Sequence, residues 1–407
     1  MAGEATQDLA ARSLTALSDS EMRRWLSLPA DQQPDWGDEW LVEKIRVDLA
    51  DMPPLVRQSE VDALGRLLAR VAAGELHVIQ AGDCAEDPAE CVPESLSAKI
   101  GMLDSLAGVM RINSGKPVLR VGRIAGQFAK PRSKPTERHG SVELPAFRGL
   151  LVNGPEPDPV SRRPDPLRML ACYQAAAAAM DFLRGQSVDP DLPQSPMVWT
   201  SHEALVLDYE LPLVRRLPDG GMLLTSTHWP WIGERTRDPG GAHVDLLASV
   251  SNPVACKVGP QIRTADLLRL CRRLDPDRRP GRLTLIARLG PVAGERLPGL
   301  VAAVRAEGHP VIWMCDPMHG NTVAGPDGRK TRVLAAVLRE VADFQRAVSA
   351  AGGVAGGLHL ESTPMDVCEC VPDDSQIGLV GDGRYTTLCD PRLNPEQAWA
   401  VAAAWCR

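Results

Sequence analysis

Short apolar runs alternate with amphipathic stretches along most of this chain. From residue 76 onward the runs fall at 76–82, 117–122, 197–200, 222–226, 254–258, 283–287, 311–314 and 357–360. Each is bounded by Gly, Pro or charged residues, which is the length and punctuation of a buried strand. Apolar residues recur at helical spacing over 94–112, 165–184, 204–217, 243–250, 264–274, 296–307 and 330–351. A last helix is predicted over 395–406, with Asn394 as N-cap and Pro395 in its first turn. Strands alternating with helices in this way predict an α/β protein, a closed (β/α)8 TIM barrel. An open, doubly wound sheet is the alternative, but it would gather its chemistry at one crevice. Here polar, reactive residues follow all eight runs. Ahead of the first strand lie a polar, Pro-containing arm (1–38, with a short helix near 19–27) and helical stretches at 39–51 and 60–73. Residues 1–75 are therefore expected to be an N-terminal helical extension packing on the barrel or on a partner subunit, and 76–407 the catalytic barrel.

Composition narrows the function classes. The 407 residues are 44% hydrophobic, ample for a large core. Lys+Arg 45 against Asp+Glu 52 gives no basic excess, so nucleic acid is not an expected partner. No apolar run reaches the length of a membrane span. Glu4 and Asp8 interrupt an N-terminus without a long apolar core, unlike a secretory signal. A cytoplasmic location is expected, with the ten cysteines as reduced thiols. There is no CxxC pair, and Cys368 with Cys370 forms only a CxC, weak as a metal signal. Cys172, Cys256, Cys271 and Cys406 read as small core residues. Only seven of the basic residues are lysine, so Lys257, inside the apolar run 254–258, is conspicuous.

The chemistry sits where the strands end. After the run 309–314 comes Cys315-Asp316-Pro317-Met318-His319-Gly320-Asn321-Thr322, an acid, a histidine and small polar groups, although Asp-Pro and His-Gly are also ordinary turn chemistry. The eight strand ends carry Cys84, Arg123, Glu203, Trp229 with Arg235, Lys257, Arg288, His319 and Glu361, and Asp390 precedes the last helix. Cys84, His319, Glu361 and Asp390 form a mixed soft and hard donor set that suits Mn, Fe, Co or Zn rather than Mg or Ca. No spacing motif joins them, and the plainer reading of the same residues is a core thiol, a capping Asp and a surface His. Arg123, Lys130, Arg235, Lys257, Arg288 and Lys330 form a cationic group suited to phosphate or carboxylate. Pairing with Glu203 and Glu234 is the internal alternative, but six cations exceed two acids, which favours a polyanionic substrate.

Longer motifs then identify a family. Gln80-Ala81-Gly82-Asp83-Cys84-Ala85-Glu86, the segment Val121 to Ser133, Thr200-Ser201-His202-Glu203, Trp231-Ile232-Gly233-Glu234-Arg235-Thr236-Arg237, Asn252-Pro253-Val254 with Lys257-Val258-Gly259-Pro260, and Asp316 to Thr322 resemble type II 3-deoxy-D-arabino-heptulosonate 7-phosphate (DAHP) synthases. The resemblance runs from about residue 76 to the C-terminus. It implies a metal-dependent condensation of phosphoenolpyruvate with erythrose 4-phosphate, the first step of the shikimate pathway. It places the metal on Cys84, His319, Glu361 and Asp390, with Mn2+ or Co2+ expected and Zn2+ or Fe2+ as alternatives. It places phosphoenolpyruvate on Arg123, Arg235, Lys257, Arg288 and the Glu234 backbone, and erythrose 4-phosphate on Lys130, Arg132 and Ser133. Lys130, Glu203 and Asp316 take the catalytic positions.

There are departures. Ala81 stands where the family has Gly, and Phe128 where it has Tyr. The connection from Arg184 to Ser201 is too short for the helical pair that builds feedback sites in longer members. With Ser226-Thr227-His228-Trp229-Pro230-Trp231, the short form resembles DAHP synthases of phenazine and other antibiotic clusters, and so predicts insensitivity to aromatic amino acids. The alternative is a housekeeping enzyme of the same activity in aromatic amino acid biosynthesis. A lyase or isomerase acting on another sugar phosphate, and a non-catalytic scaffold, fit the complete donor set and double anion cluster less well. A homo-oligomer, dimer or tetramer, is expected, and a chorismate mutase partnership has no support in the residues.

Overall fold

A computed structural model describes residues 14–186, 197–380 and 383–406. Its main sheet is parallel, with strands β1 His77–Gly82, β2 Val118–Arg123, β3 Trp199–Thr200, β4 Trp231–Ile232, β5 Val254–Val258, β6 Leu283–Ala287, β7 Ile312–Cys315 and β8 Val354–Glu361. The spatial order is β3-β2-β1-β8-β7-β6-β5-β4. The two ends of that order meet. Glu203 bridges Trp231 in parallel, the Trp231 N–H donates to the His202 carbonyl at 3.0 Å, and the Ala204 N–H donates to the Trp231 carbonyl at 3.0 Å. The sheet thus curls into the (β/α)8 barrel that the periodicity predicts.

The longer helices are α1 Asp19–Leu26, α2 Glu39–Asp51, α3 Gln58–Ala72, α4 Pro93–Ser114, α5 Leu167–Gly185, α6 Ala242–Ser249, α7 Thr264–Leu274, α8 Ala293–Ala306, α9 Leu334–Ala350 and α10 Pro395–Ala403. Side chains in a strand alternate between its faces, and here the inward positions change character along the barrel axis. Val78, Leu119, Ile286 and Ile312 form an apolar lower layer packed with Leu64, Leu67, Leu68 and Val71 of α3. This helix plugs the N-terminal mouth. Two residues or more further along each strand the inward positions are Gln80, Arg123, Lys257, Asp316, His359 and Glu361, all buried. The polar layers lie above this apolar packing, toward the C-terminal ends of the strands, where the cavity opens.

Three predicted elements fall elsewhere. The run 222–226 is not a barrel strand: Met222–Leu224 pairs antiparallel with Val214–Arg216, which also pairs with Thr15–Ala16. The Asn252 amide binds Leu224 on both sides, at 2.9 and 3.0 Å, and holds that hairpin outside the barrel. The predicted helix 204–217 is one turn, Leu207–Glu210, then a 3-10 turn, Leu211–Leu213, then the hairpin strand. Pro212 has no N–H with which to continue a helix. The predicted helix 330–351 begins only at Leu334, because Lys330–Arg332 pairs with Thr322–Ala324. Cys172, Cys256 and Cys271 are buried, but Cys406 is exposed rather than in the core. Among the described residues, no helix is long and apolar enough to cross a membrane.

Candidate active site

The C-terminal ends of the strands open into a cavity of ≈ 500 Å³. Its lining includes Cys84, Arg123, Lys130, Arg132, Ser133, Glu203, Glu234, Arg235, Lys257, Arg288, His319, Glu361 and Asp390. Residues from all eight strand ends are thus brought to one place. Asp316 is the exception among the expected site residues. It is fully buried beneath the cavity floor, where its carboxylate accepts from Lys257 Nζ at 3.1 Å, from His319 Nδ1 at 2.8 Å and from the backbone N–H groups of Met318 and His319. Burial alone would raise its pKa, but the neighbouring His319 and Lys257 outweigh burial and hold it well below the usual carboxylate range.

That arrangement aims His319. With Nδ1 bound to Asp316, the Nε2 edge faces Glu361 Oε1 at 3.0 Å. His319, Glu361 and Asp390 place one ligand atom each within 4.8 Å of one another. Cys84 stands beside them, its sulfur accepting from the Asp390 N–H at 3.1 Å. Burial pushes the Cys84 thiol up, but a hydrogen bond from Cys389 and the charge of Lys130 outweigh burial and hold it below the usual thiol range, which favours the thiolate. One half-buried imidazole and two buried carboxylates converge, with the Cys84 sulfur against the Asp390 backbone beside them. These residues fit a divalent transition ion.

The cations do pair internally, though not with the acids expected. Lys130 lies against Asp390 and Glu361, and Lys330 Nζ donates to Asp390 Oδ1 at 2.7 Å. Arg123 Nη2 donates to Glu361 Oε1 at 3.2 Å. Glu234 pairs instead with Arg237. Arg235 donates to Ser133 Oγ and Arg288 to the His319 carbonyl, and among the described residues neither has a carboxylate partner. The Arg288 Nε is buried and unpartnered. In all, nine Lys or Arg line the cavity against five Asp or Glu, so the site carries net positive charge even after its own ion pairs. Lys134 and Arg138, which carry no strand-end signal, belong to this set too.

Other supporting residues also escaped the sequence. His359 accepts from Arg123 Nη1 at 2.7 Å through Nε2, so its proton is on Nδ1, which donates to Gln80 Oε1 at 2.6 Å. Gln80 Nε2 then donates to Ser201 Oγ at 2.8 Å. This buried chain fixes the Arg123 guanidinium. Burial holds the His359 imidazole neutral, its pKa well below the usual value. Glu86 accepts from the backbone N–H groups of Ala125, Gly126 and Gln127 and shapes the loop that leads to Lys130. Glu340 does the same for Leu289 and Gly290, and also takes Asn321 Nδ2, which joins the loops carrying Arg288 and His319. The period-two pattern marks His359 and Gln80 as inward-facing, but no local signal separates such a residue from a core polar one.

Glu203 is buried, and its Oε1 has no hydrogen-bond partner. Burial raises its pKa in spite of the charges on Lys257, His319, Lys130 and Arg123. A Cβ at Gly233 would stand 1.9 Å from that oxygen. Gly233→Ala is therefore expected to rotate Glu203 away from the cavity while the barrel persists. Turnover should fall on the order of 10²-fold, the cost of misplacing a reacting group by about an ångström, with a shift of only a few degrees in thermal midpoint. Steady-state kinetics and calorimetry on the same preparation check both halves.

Comparison with known proteins agrees with this geometry. The family model described as the class-II DAHP synthetase family matches residues 20–192 and 187–405. A probable phospho-2-dehydro-3-deoxyheptonate aldolase of Pseudomonas fluorescens is 53% identical over 387 residues, covering 94% of this chain and 96% of that protein. A phospho-2-dehydro-3-deoxyheptonate aldolase of Streptomyces coelicolor is 38% identical over 434 residues, covering 95% and 96%. Among solved structures, the phospho-2-dehydro-3-deoxyheptonate aldolase of Francisella tularensis shares the fold, with a TM-score of 0.53 at 12% identity over 90% of this chain and 97% of that one. The matched segments contain every strand that delivers a residue to the cavity, and the chain belongs to the class-II DAHP synthetase family.

Proposed function

We propose that this chain is a DAHP synthase that condenses phosphoenolpyruvate with erythrose 4-phosphate and water, giving DAHP and inorganic phosphate. The observation that carries the reading is the cavity itself, where a transition-metal donor set and a surplus of cations share one ≈ 500 Å³ space. Two phosphorylated substrates need such a surplus. Cys84, His319, Glu361 and Asp390 would hold Mn2+ or Co2+, with Zn2+ or Fe2+ as alternatives, and the ion would act as a Lewis acid on the aldehyde oxygen.

The chain's own residues do the rest. Arg123, Arg235, Lys257, Arg288 and the Glu234 backbone hold phosphoenolpyruvate. The unpartnered edge of Arg288 and the carboxylate-free Arg235 are the groups with most to gain from its phosphate and carboxylate. Lys130, Arg132 and Ser133 hold erythrose 4-phosphate beside it in a near-attack arrangement. The enol carbon attacks the aldehyde carbon and forms the new C–C bond. Lys130, whose ammonium is stabilised against its burial by Asp390, Cys84 and Glu361, donates a proton to the new alkoxide. Glu203 orients the water that adds at the adjacent carbon, after which phosphate leaves by C–O cleavage. Asp316 acts from beneath, orienting His319 and Lys257. A product assay decides the matter: phosphate and DAHP must appear only with both substrates present, and a chelator must stop them. Phosphate release independent of erythrose 4-phosphate would point to another reaction.

The same reading extends to the pathway. α5 ends at Gly185 and β3 begins at Trp199. Much of the connection, 187–196, lies outside the described residues, but its length alone is too short for two helices and their turns. The enzyme is then without the inserted feedback sites and serves a secondary pathway such as phenazine biosynthesis, working as a homo-oligomer in the cytoplasm. Phenylalanine, tyrosine and tryptophan, singly and mixed at millimolar concentration, are expected to leave most of the rate intact at subsaturating phosphoenolpyruvate. Inhibition beyond half by any of them would favour the housekeeping role.

A further inference from the structure

One buried side chain touches the segments of three expected metal ligands at once. Arg332 ends the hairpin strand Lys330–Arg332 and is fully buried. Its Nη2 donates to Glu361 Oε2 at 2.6 Å. Its Nη1 donates to the carbonyl of Pro391, the residue after Asp390. Its Nε donates to Thr322 Oγ1 at 3.1 Å, and that hydroxyl donates in turn to the carbonyl of Met318, next to His319, at 3.4 Å. The other Glu361 oxygen, Oε1, is the one that faces His319 Nε2 at 3.0 Å and Arg123 Nη2 at 3.2 Å.

We infer that Arg332 is a positioning residue that holds Glu361 as a single-oxygen ligand and sets the spacing of the segments carrying His319, Glu361 and Asp390. The inference rests on the metal site proposed above. A planar guanidinium has three donor edges in fixed directions, and each here is committed to a different segment. A lysine ammonium in the same place could keep the charge but could not reproduce the fork. The engagement of Oε2 leaves Oε1, the oxygen that faces His319 and Arg123, as the one turned toward the proposed ion. Ions that take few ligands at short distance accept that, whereas Ca2+ favours many oxygens and often a bidentate carboxylate. Arg332 therefore acts on ion choice as well as on affinity. Hydrogen-bond partners of metal ligands typically govern affinity on the order of 10–100-fold.

The test is binding of Co2+ to metal-stripped protein, read from the thiolate-to-cobalt and d–d absorption bands and by calorimetry, with Ca2+ as the contrasting ion. Wild type is compared with Arg332→Lys, Arg332→Met and Thr322→Val. Arg332→Lys is expected to weaken Co2+ on the order of 10–100-fold, with altered d–d bands and a smaller preference for Co2+ over Ca2+. Thr322→Val, which leaves the buried charge in place, should show a smaller loss in the same direction. If Arg332→Met does not fold, the other two variants carry the test. A purely structural role would lower the thermal midpoint while the folded variants bind Co2+ as wild type does. Affinities within twofold of wild type in both Arg332→Lys and Thr322→Val would overturn the inference. Failure of wild type itself to bind Co2+ would overturn the metal site, and this inference with it.

Discussion

His319→Ala is expected to fold and to lose turnover on the order of 10³-fold or more, since even partners of a ligand typically cost 10–100-fold and here a ligand itself is removed. The fold should survive because His319 lies on the loop after β7, half-buried, and adds nothing to the apolar core. The chemistry should not survive. The Nε2 edge that faces Glu361 is the nitrogen donor of the proposed metal site, and Asp316 beneath it holds that ring through Nδ1. Cys84→Ala should act in the same direction by removing the thiolate. In wild type, EDTA should abolish the rate, and Mn2+ or Co2+ should restore it. The same additions should do nothing for His319→Ala at ordinary metal concentration. Full activity after verified removal of metal from wild type would sink the metal assignment.

Lys257→Met is expected to weaken phosphoenolpyruvate binding by about 2–3 kcal/mol, roughly 30–150-fold in Kd, the scale of a charge-assisted contact in a desolvated site. Methionine keeps most of the volume, so the change isolates the charge. Lys257 also pairs with Asp316 Oδ2 at 3.1 Å. Breaking a buried pair from one side can cost about 3–5 kcal/mol of stability. The bonds to Asp316 from His319 Nδ1 and two backbone N–H groups remain, so the loss of stability should fall short of that and show as a lowered thermal midpoint. Erythrose 4-phosphate should bind nearly as before, because its expected contacts are Lys130, Arg132 and Ser133, and Lys257 is bound instead to Asp316. Calorimetric titration of each substrate separates the two effects. Equal losses for both, in a folded variant, would show that the cationic cluster is not divided between them in this way.

Much of the site was legible in local pattern. An apolar run followed at once by a charged or metal-binding group recurs at the strand ends, and the (β/α)8 reading alone sends those groups to one rim. Cys84, Arg123, Lys257, Arg288, His319 and Glu361 follow from that rule and all line the cavity. Asp316 obeys it too, but its side chain turns under the floor to meet His319 and Lys257. Residues such as Arg332, Glu340 and His359 give no comparable signal. Each looks like an ordinary polar residue on its own element, and its role depends on groups that are distant in sequence: Arg332 on Glu361 and Pro391, Glu340 on the 289–290 backbone, His359 on Gln80 and Arg123.

The sequence by itself determined the alternation of strands and helices over most of the barrel and the cationic excess at the strand ends, because each depends on residue type and on periods of two or 3.6. The tertiary structure alone decided which apolar run completes the barrel. Met222–Leu224 has the longer and better strand pattern, yet it pairs with Val214–Arg216, while the two-residue strand Trp231–Ile232 joins Ala255 and Cys256 and closes on Glu203. Strand propensity reports a fit to a pleated, half-buried surface and carries no information about the partner. The partner is chosen by closure, which requires one strand to hydrogen-bond both β3 and β5 at once. Only the curled sheet imposes that condition, and only there do ligand atoms of His319, Glu361 and Asp390 come within 4.8 Å of one another.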